Sequence, residues 1–532
     1  MDKTQETADE KSCMIKEKNN ELSIRDSNCL QPITRSNSRE KITNLDVIPQ
    51  VIASCIIHCV VIQVGVNMAY STVLLNDLKL DNAGMTITEN EESWIASLVT
   101  ITLPIGSIIA GPLMDKFGRK VVCSFSCVPA IISWILFIFA KSVITIYAAR
   151  FIAGIAAGLS TVGVIYVSEL SHPQIRPMLL CLNSVFVSLG ILITCCLAIS
   201  LDWHKMAIVF LALECCIFFA LFFLPESPYW LACFGNGMLD EKRTREMKRS
   251  LKRLNRTETI YEQEYSRIME IARNRVALRH NETSDTVVAS IKNYYHKFKS
   301  PSAYKPITIL FVLFLLQQLS GCYVVIFYAM SVFDEMSGIL RKSFNENSAF
   351  VMLGIVRFVV SILTSFSSRK YGRRVICILS GIGMSVSMFL SGIYMHFTVS
   401  SDKNGNEQEI MVDYKWLLLV FVLSYICFST FGFTTIPWTQ IGELIPVSIR
   451  GIGGGFMVSV AYIMMFAVIK SYPYILKSIG IGNIFFLFSF TSLLSIIYVY
   501  FFVPETLNKS FSDIEKMFTS NKEEKPCDVH PT

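Results

Sequence analysis

The chain has 532 residues, of which 52% are hydrophobic and only 17% are charged, with a net charge of +6 and a mean hydropathy of +0.47. Ordinary soluble domains carry about 25% charged residues, so the composition excludes a soluble globular protein. A net charge of +6 needs no nucleic-acid partner, because cytosolic basic residues facing anionic lipid account for it.

Twelve long apolar blocks follow one another along the chain. A helix needs about 20 apolar residues to span the bilayer core, and backbone groups find no water there, so each block predicts a transmembrane helix. The first six are residues 51–75, 94–114, 121–140, 143–167, 178–199 and 207–224. The second six are residues 307–332, 348–366, 375–397, 416–438, 456–470 and 484–503. The sequence therefore predicts an all-α protein of the lipid bilayer.

Polar segments divide these blocks into two groups. We expect a disordered tail at 1–46, six helices within 47–231, a basic loop at 232–305, six more helices within 306–503 and a tail at 504–532. Residues 1–46 contain no apolar stretch of the kind found in signal peptides. In the basic loop, Met247, Leu251 and Leu254 predict one apolar face of a helix at 238–255, either a solvated linker or a membrane-binding helix.

The distribution of basic residues predicts the orientation. The predicted inside loops contain Lys116, Arg119, Lys120, Arg176, Arg369, Lys370, Arg373, Arg374 and Arg450. The first outside loop, residues 76–93, has one Lys against five acidic residues. The positive-inside rule therefore places both termini in the cytoplasm.

A charged turn occurs twice. Residues 111–120 read GPLMDKFGRK between the second and third predicted helices, and RKYGRR at 369–374 lies 254 residues further on, counted from Gly118 to Gly372. Asp115 and Arg119 can pair across neighbouring helix ends. A single basic turn would only follow the positive-inside rule, but its recurrence at the matching position indicates an internal duplication with parallel repeats.

Further short motifs follow in a fixed order. They are ESW at 92–94, RFIAG at 150–154, YVSE at 166–169, PESPYWL at 225–231, QQLSG at 317–321, PW at 437–438, RG at 450–451 and PET at 504–506. Together with the charged turns, they resemble the sugar porter family of the major facilitator superfamily over roughly residues 50–515, and insect facilitated trehalose transporters are the most similar members. The resemblance implies two pseudo-symmetric six-helix bundles and facilitated diffusion of a small neutral sugar, hexose or trehalose, through a cell-membrane protein that functions as a monomer.

The resemblance also implies a substrate site. A sugar needs amide groups and an aromatic face rather than charge. Gln317 and Gln318 supply amides within an apolar helix, and Trp438 beside a proline supplies a ring. The alternatives are hydrogen bonding between helices for the glutamines and interfacial anchoring for Trp438. Family positions near this site are occupied by Tyr323, Arg357, Ser184 and Tyr462.

A second set of residues corresponds to the charge network that, in the family, locks the cytosolic helix ends in the outward-facing state. It consists of Asp115, Arg119, Glu169, Arg176, Glu226, Arg373, Arg374, Glu443, Arg450 and Glu505. Glu169 and Arg176 have the same seven-residue spacing as Glu443 and Arg450, which agrees with the duplication.

Several departures from the family pattern keep other functions open. The family has Asn at the position of Tyr323 and Asn or Gln at that of Arg357. An arginine facing the cavity favours an anionic ligand, or it pairs with a carboxylate. The alternatives to a sugar facilitator are therefore a carrier of another organic solute, including an anion, and a non-transporting sugar sensor. The short C-terminal tail is evidence against the sensor.

Proton coupling is not expected. Proton-coupled family members carry an Asp on the first helix that answers the Arg of the fourth, but Ser71 stands opposite Arg150 here. Glu214 is an intramembrane carboxylate on the peripheral sixth helix, where we expect it to be protonated and silent. An enzyme is not expected either, because the sequence has no motif for a nucleophile, metal or cofactor.

Overall fold

The computed structural model describes residues 44–79, 87–172, 174–234, 240–281, 298–339, 346–368, 370–403, 416–446, 449–507, 514 and 517–518. The chain divides into two compact units, Met1–Val47 and Ile48–Thr532, and the first is described only at 44–47. Every regular element of the described residues is helical.

The first half contains nine helices up to the basic loop. They are α1 (Asn44–Cys59), α2 (Ile62–Lys79), α3 (Glu89–Phe117), α4 (Arg119–Ile138), α5 (Val143–Leu159), α6 (Val162–Leu170), α7 (Arg176–Leu197), α8 (Trp203–Leu221) and α9 (Pro228–Cys233). The loop and the second half contain α10 (Glu241–Leu254), α11 (Glu258–Asn281), α12 (Pro301–Leu319), α13 (Val324–Phe327), α14 (Ala329–Ile339), α15 (Glu346–Ser367), α16 (Arg373–Lys403), α17 (Trp416–Phe428), α18 (Ile436–Leu444) and α19 (Arg450–Phe502).

These helices confirm the predicted twelve-helix architecture. In the described residues, eleven helical stretches are long and apolar enough to cross a membrane, and the last of them, Gly453–Phe502, has 50 residues. At about 1.5 Å per residue it is about 75 Å long, more than twice the ~30 Å core of a bilayer. Gly480, at φ 76° and ψ 161°, interrupts it. The last stretch therefore contains two spans, as predicted at 456–470 and 484–503.

Two of the predicted spans are broken inside the second half. The seventh divides between α12 and α13 at residues 320–323, and the tenth contains a π-helical turn, Ser429–Phe433, before α18. Irregular backbone within a membrane protein needs other hydrogen-bond partners. The Tyr425 hydroxyl donates to the carbonyl of Ser320 at 2.6 Å, and the Ser380 hydroxyl donates to that of Phe428 at 2.6 Å.

The two halves pack against each other through α2, α3 and α7 of the first half. In the contact between them, α3 lies along α19, α7 lies along α15, and α2 contacts α13 and α14. Within the first half, α2 approaches α7 so closely that a Cβ added to Gly65 would collide with the carbonyl of Val187. Small residues at such crossings are typical of membrane helices, because close backbone approach replaces the hydrophobic driving force.

The predicted amphipathic helix of the basic loop forms as α10. Its apolar residues Met247, Leu251 and Leu254 are all buried. Met247 and Leu251 pack with Leu231 and with Ile268 of α11. The apolar face of α10 is therefore covered by the protein itself.

Candidate functional site

A buried charge cluster surrounds Arg119 at the start of α4. Its Nη2 lies 2.9 Å from Oε1 of Glu169 on α6, and its Nε lies 3.0 Å from Oε2 of the same carboxylate. The Ser227 hydroxyl also donates to Glu169. Glu226 accepts hydrogen bonds from the backbone amides of Arg119 and Lys120 at 3.0 and 3.1 Å. The cluster therefore joins the ends of α4, α6 and α9.

An equivalent cluster surrounds Arg373 at the start of α16. Its Nη2 lies 3.0 Å from Oε1 of Glu443 on α18, and the Thr506 hydroxyl donates to Oε2 of Glu443 at 2.6 Å. Glu505 accepts from the backbone amides of Arg373 and Arg374 at 3.0 and 3.2 Å. Each of these groups has its counterpart in the Arg119 cluster, so the duplication extends to individual hydrogen bonds.

The glycines of the two charged turns make room for these carboxylates. A Cβ added to Gly118 would collide with the Glu226 carboxylate, and one added to Gly372 would collide with that of Glu505. Gly118 also has φ 101°, which L-residues rarely adopt. Burial raises the pKa of the Glu226 carboxyl above its ordinary value, and the backbone amides that donate to it oppose that rise.

Both clusters lie at the same end of the molecule. Helix α7 begins beside the Arg119 cluster, and near its start the carbonyl of Met178 accepts from the Ser365 hydroxyl at 3.3 Å. Ser365 is close to the end of α15, where the carbonyl of Ser368 accepts from Arg373. The ion pairs that the structure describes in each cluster stay within one half, whereas these α7–α15 contacts cross between the halves.

The other predicted gate residues contribute less to the two charge clusters. Asp115 lies 3.3 Å from Arg119, but its side chain is 54% exposed. Arg176 donates to the carbonyl of Ser171 at 3.0 Å, and its described contacts include no ion pair with Glu169. Arg374 donates to the carbonyl of Tyr500. The side chain of Arg450 lies outside the described residues.

An aromatic cluster lies beside the two helix breaks of the second half. Trp438 Nε1 donates to the Tyr323 hydroxyl at 2.9 Å. The Trp438 ring lies 5.0 Å from the Phe314 ring and 5.1 Å from the Tyr462 ring, centroid to centroid. Tyr323 and Tyr462 are almost entirely buried, whereas Trp438 is half-buried. Three predicted substrate residues thus come together. Phe314, which no sequence motif marks, joins them.

Gln317 and Gln318 are both buried at the end of α12. Gln317 Nε2 donates to the carbonyl of Phe433 in the π-helical turn. In a regular helix this carbonyl would accept from residue 437, but Pro437 has no N–H. Gln317 therefore satisfies a backbone group that the proline leaves unpaired, which is the hydrogen bond between helices that the sequence left as an alternative. Among the described contacts, Gln318 Nε2 donates to Gln317 Oε1 at 3.5 Å.

Ser184 and Arg357, which were also predicted to bind the substrate, have different surroundings. The Ser184 hydroxyl lies 3.0 Å from that of Thr435, a hydrogen bond between the two halves. Arg357 on α15 is 3% exposed, and its Nε has no hydrogen-bond partner in the described part of the chain. Arg357 interacts electrostatically with Tyr323 and Cys322. It is therefore next to the aromatic cluster, and it belongs to none of the ion pairs described between residues of this structure.

The first half has a buried arginine of its own. Arg150 Nη1 donates to the carbonyl of Asn67 at 3.0 Å, and the Ser71 hydroxyl donates to the same oxygen at 3.0 Å. The rings of Tyr70 and Phe137 lie 5.6 and 5.7 Å from the guanidinium carbon of Arg150. Ser71 is thus adjacent to Arg150, as the comparison of the first and fourth helices predicted.

Sequence reasoning missed a contact at the opposite end. Lys470 Nζ lies 2.6 Å from the Ser93 hydroxyl and 3.1 Å from Asn90 Oδ1. Lys477 Nζ lies 2.7 Å from Glu89 Oε1. The acidic residues of the first outside loop could have indicated such a contact, but only the fold shows that the basic partner lies on α19.

A family model described as "Sugar (and other) transporter" matches residues 62–518. The facilitated trehalose transporter of Bombyx mori is 28% identical over 88% of this chain and 87% of its own length. That of Drosophila mojavensis is 26% identical over 88% of this chain but only 51% of its own. Among solved structures, the proton:xylose symporter XylE from E. coli, bound to 6-bromo-6-deoxy-D-glucose, aligns with a TM-score of 0.68 and 18% identity over 90% of this chain and 100% of its own, which shows the fold alone.

Proposed function

Because the chain belongs to the sugar (and other) transporter family, we propose that it carries a sugar, hexose or trehalose, across the plasma membrane by facilitated diffusion. The observation that carries this proposal is the position of Gln318, Tyr323 and Trp438 beside the helix breaks at 320–323 and 429–435. Amide, hydroxyl and ring together match the hydroxyls and the apolar face of a sugar.

Transport proceeds by alternating access in this proposal. The bundles within 47–231 and 306–503 each move as a body, and the substrate site lies between them. The Arg119 and Arg373 clusters tie the helix ends of their own halves together, so each half moves as a unit. Contacts between the halves then alternate: those of Ser365 with Met178 close one end, and those of Lys470 with Ser93 close the other.

The carrier is a uniporter in this proposal. A proton-coupled carrier needs a titratable group beside the substrate path. Ser71 occupies the position next to Arg150, and both donate to the Asn67 carbonyl. A hydroxyl does not titrate in the physiological range, so net flux follows the gradient of the substrate alone.

The orientation proposed from charge places the Arg119 and Arg373 clusters, the basic loop and both termini in the cytoplasm. Lys470 and Glu89 then face the outside. The functional unit is a monomer, since each half contributes its own cluster and both halves are in one chain.

Uptake into proteoliposomes tests the proposal. The purified full chain is reconstituted, and entry of radiolabelled D-glucose and trehalose is followed with equal sugar on both sides and with sugar outside only. Saturable entry that stops at equal concentrations supports a uniporter. Accumulation above the outside concentration that a protonophore abolishes would contradict it. Binding without entry would support the sensor instead.

A further inference from the structure

The candidate substrate site contains one positive charge, that of Arg357, which none of the described carboxylates balances. Four arginines are buried in the described residues: Arg119, Arg150, Arg357 and Arg373. Arg119 and Arg373 pair with carboxylates. Arg150 has no described carboxylate partner either, and its Nε and Nη2 are buried without described partners, but its Nη1 donates to a backbone carbonyl and its guanidinium lies against two aromatic rings. Arg357 takes part in none of the ion pairs or hydrogen bonds that the structure describes, and its Nε is buried without a partner.

The position of Arg357 on α15 directs it toward the substrate path. Gly354 lies three residues earlier, on nearly the same helix face, and a Cβ there would be 3.2 Å from Leu192 of α7 in the other half. Thr364 and Ser365, two turns later, bond to the π-helical turn and to α7. The face of α15 that contains Arg357 is therefore the one that meets the first half and the broken tenth span.

An unpaired guanidinium in the membrane interior is unfavourable, and such residues persist where they meet a cavity, a partner or a ligand. The described residues offer no carboxylate to Arg357, although they offer one to each of Arg119 and Arg373. Its neighbour Tyr323 carries a hydroxyl that already accepts from Trp438. The missing anion is therefore expected to come from the substrate.

We propose that the substrate is a sugar acid with a single carboxylate, which binds Arg357 while its ring lies against Trp438. This inference rests on the proposed function and names the substrate class of the same site. A guanidinium presents two parallel N–H groups to a carboxylate. One carboxylate balances one arginine, whereas a phosphate ester carries about −1.5 to −2 charges and would leave an excess. Tyr323 and Gln318 remain for the hydroxyls.

The test uses two sugars that differ only at carbon 6. D-Glucuronate has a carboxylate there and D-glucose a hydroxymethyl group. In proteoliposomes of the full chain, the wild type should take up glucuronate with at least tenfold higher kcat/KM than glucose. Glucuronamide, the neutral amide of the same ring, should compete at least tenfold less well than glucuronate. This competition experiment uses only the wild-type protein.

Two substitutions at residue 357 and one control complete the test. R357Q should shift the ratio of glucuronate to glucose uptake at least tenfold toward glucose, and R357K should retain part of the preference because it keeps the charge. R256Q removes an exposed arginine of the basic loop and should leave the ratio unchanged. Size-exclusion profiles of the purified variants establish that they fold.

The outcomes separate this inference from the proposed function. Uptake of glucose or trehalose, with glucuronate neither carried nor competing, would overturn the inference and leave sugar transport standing. Quenching of tryptophan fluorescence by glucuronate that is absent in both R357Q and W438F, without uptake of either sugar, would support the site and overturn transport. If neither sugar is bound or carried, both proposals fail.

Discussion

The Nζ of Lys470 on α19 lies 2.6 Å from the hydroxyl of Ser93 on α3 and thereby joins the two halves of the molecule. The same ammonium lies 4.2 Å from the centroid of the Trp94 ring. Lys477 and Glu89 form an exposed ion pair nearby. Helix α3 has 29 residues and is about 43 Å long, so these contacts are at the opposite end from the Arg119 cluster. Together with the Tyr474 hydroxyl, which donates to Asn90 Oδ1 at 3.3 Å, they are described polar contacts that close that end.

Removing these contacts should favour the conformation open at the Lys470 end. A partly exposed charged hydrogen bond and an exposed ion pair contribute about 1 kcal/mol together, so K470Q combined with K477Q should raise the open population about fivefold. This open population is measured from the distance between two spin labels, attached at Lys141 and Ile479 in a variant without exposed cysteines. K205Q breaks the Lys205–Asp202 pair within one half and serves as the control. Unchanged distances in the double variant would refute the closing role.

The two buried charge clusters should be equally necessary for transport. Breaking a buried pair costs about 3–5 kcal/mol, because the other charge stays buried without a partner. R119A and R373A should each reduce uptake at least tenfold at similar surface expression. K116A changes an exposed residue of the same turn and should reduce it less than twofold. Normal uptake by either arginine variant would show that its cluster is dispensable.

Glu169 allows the first cluster to be tested as a pair. In a double-mutant cycle, R119A and E169A should show a coupling free energy above about 1 kcal/mol, since they share a bidentate contact. Asp115 is mostly exposed, so D115A and R119A should couple by less than about 1 kcal/mol. Uptake rates of six proteins supply the two cycles: the wild type, the three single variants and the two double variants. Equal coupling for both carboxylates would argue against Glu169 as the main partner of Arg119.

Substitutions of the two glutamines should have different effects, one on the stability of the protein and the other on substrate binding. Q317A leaves the Phe433 carbonyl unpaired next to Pro437, at a cost of about 1–3 kcal/mol, so its melting temperature in detergent should fall. Q318A breaks only a 3.5 Å contact and should keep the melting temperature while raising KM at least fivefold. Differential scanning fluorimetry and uptake kinetics distinguish the two. A stable Q317A protein would mean that the carbonyl finds another donor.

Uncoupled transport should become pH-dependent when an acid is restored beside Arg150. Wild-type uptake should not respond to a protonophore. S71D places a carboxylate where Ser71 now shares an acceptor with Arg150, so its uptake should vary at least threefold between pH 5.5 and pH 8. S71A lacks the carboxylate and is the matched control. A protonophore-sensitive wild type would direct attention to Glu214, which is also buried.

The sequence by itself determined the membrane class, the twelve spans and the duplication. Spans follow from apolar length, which is a local property of the chain. The two charged turns share the pattern Lys, aromatic, Gly, Arg and a basic residue at 116–120 and 370–374, although Arg369 stands where the first turn has Asp115. The adjacency of Ser71 and Arg150 also followed from the sequence, through the resemblance to a family with a known helix order.

Only the tertiary structure decided which groups are paired. Glu169 rather than Asp115 is the main partner of Arg119, because α6 brings it to the start of α4 across 50 residues of chain. Gln317 bonds to a carbonyl that a proline 120 residues away has freed, and Lys470 meets Ser93 across 377 residues. Such contacts depend on how helices cross in space, and no pattern along the chain encodes the crossing. The position of Arg357 is of the same kind: the residue is visible in the sequence, but only the packing of the described helices shows that none of them brings a carboxylate to it.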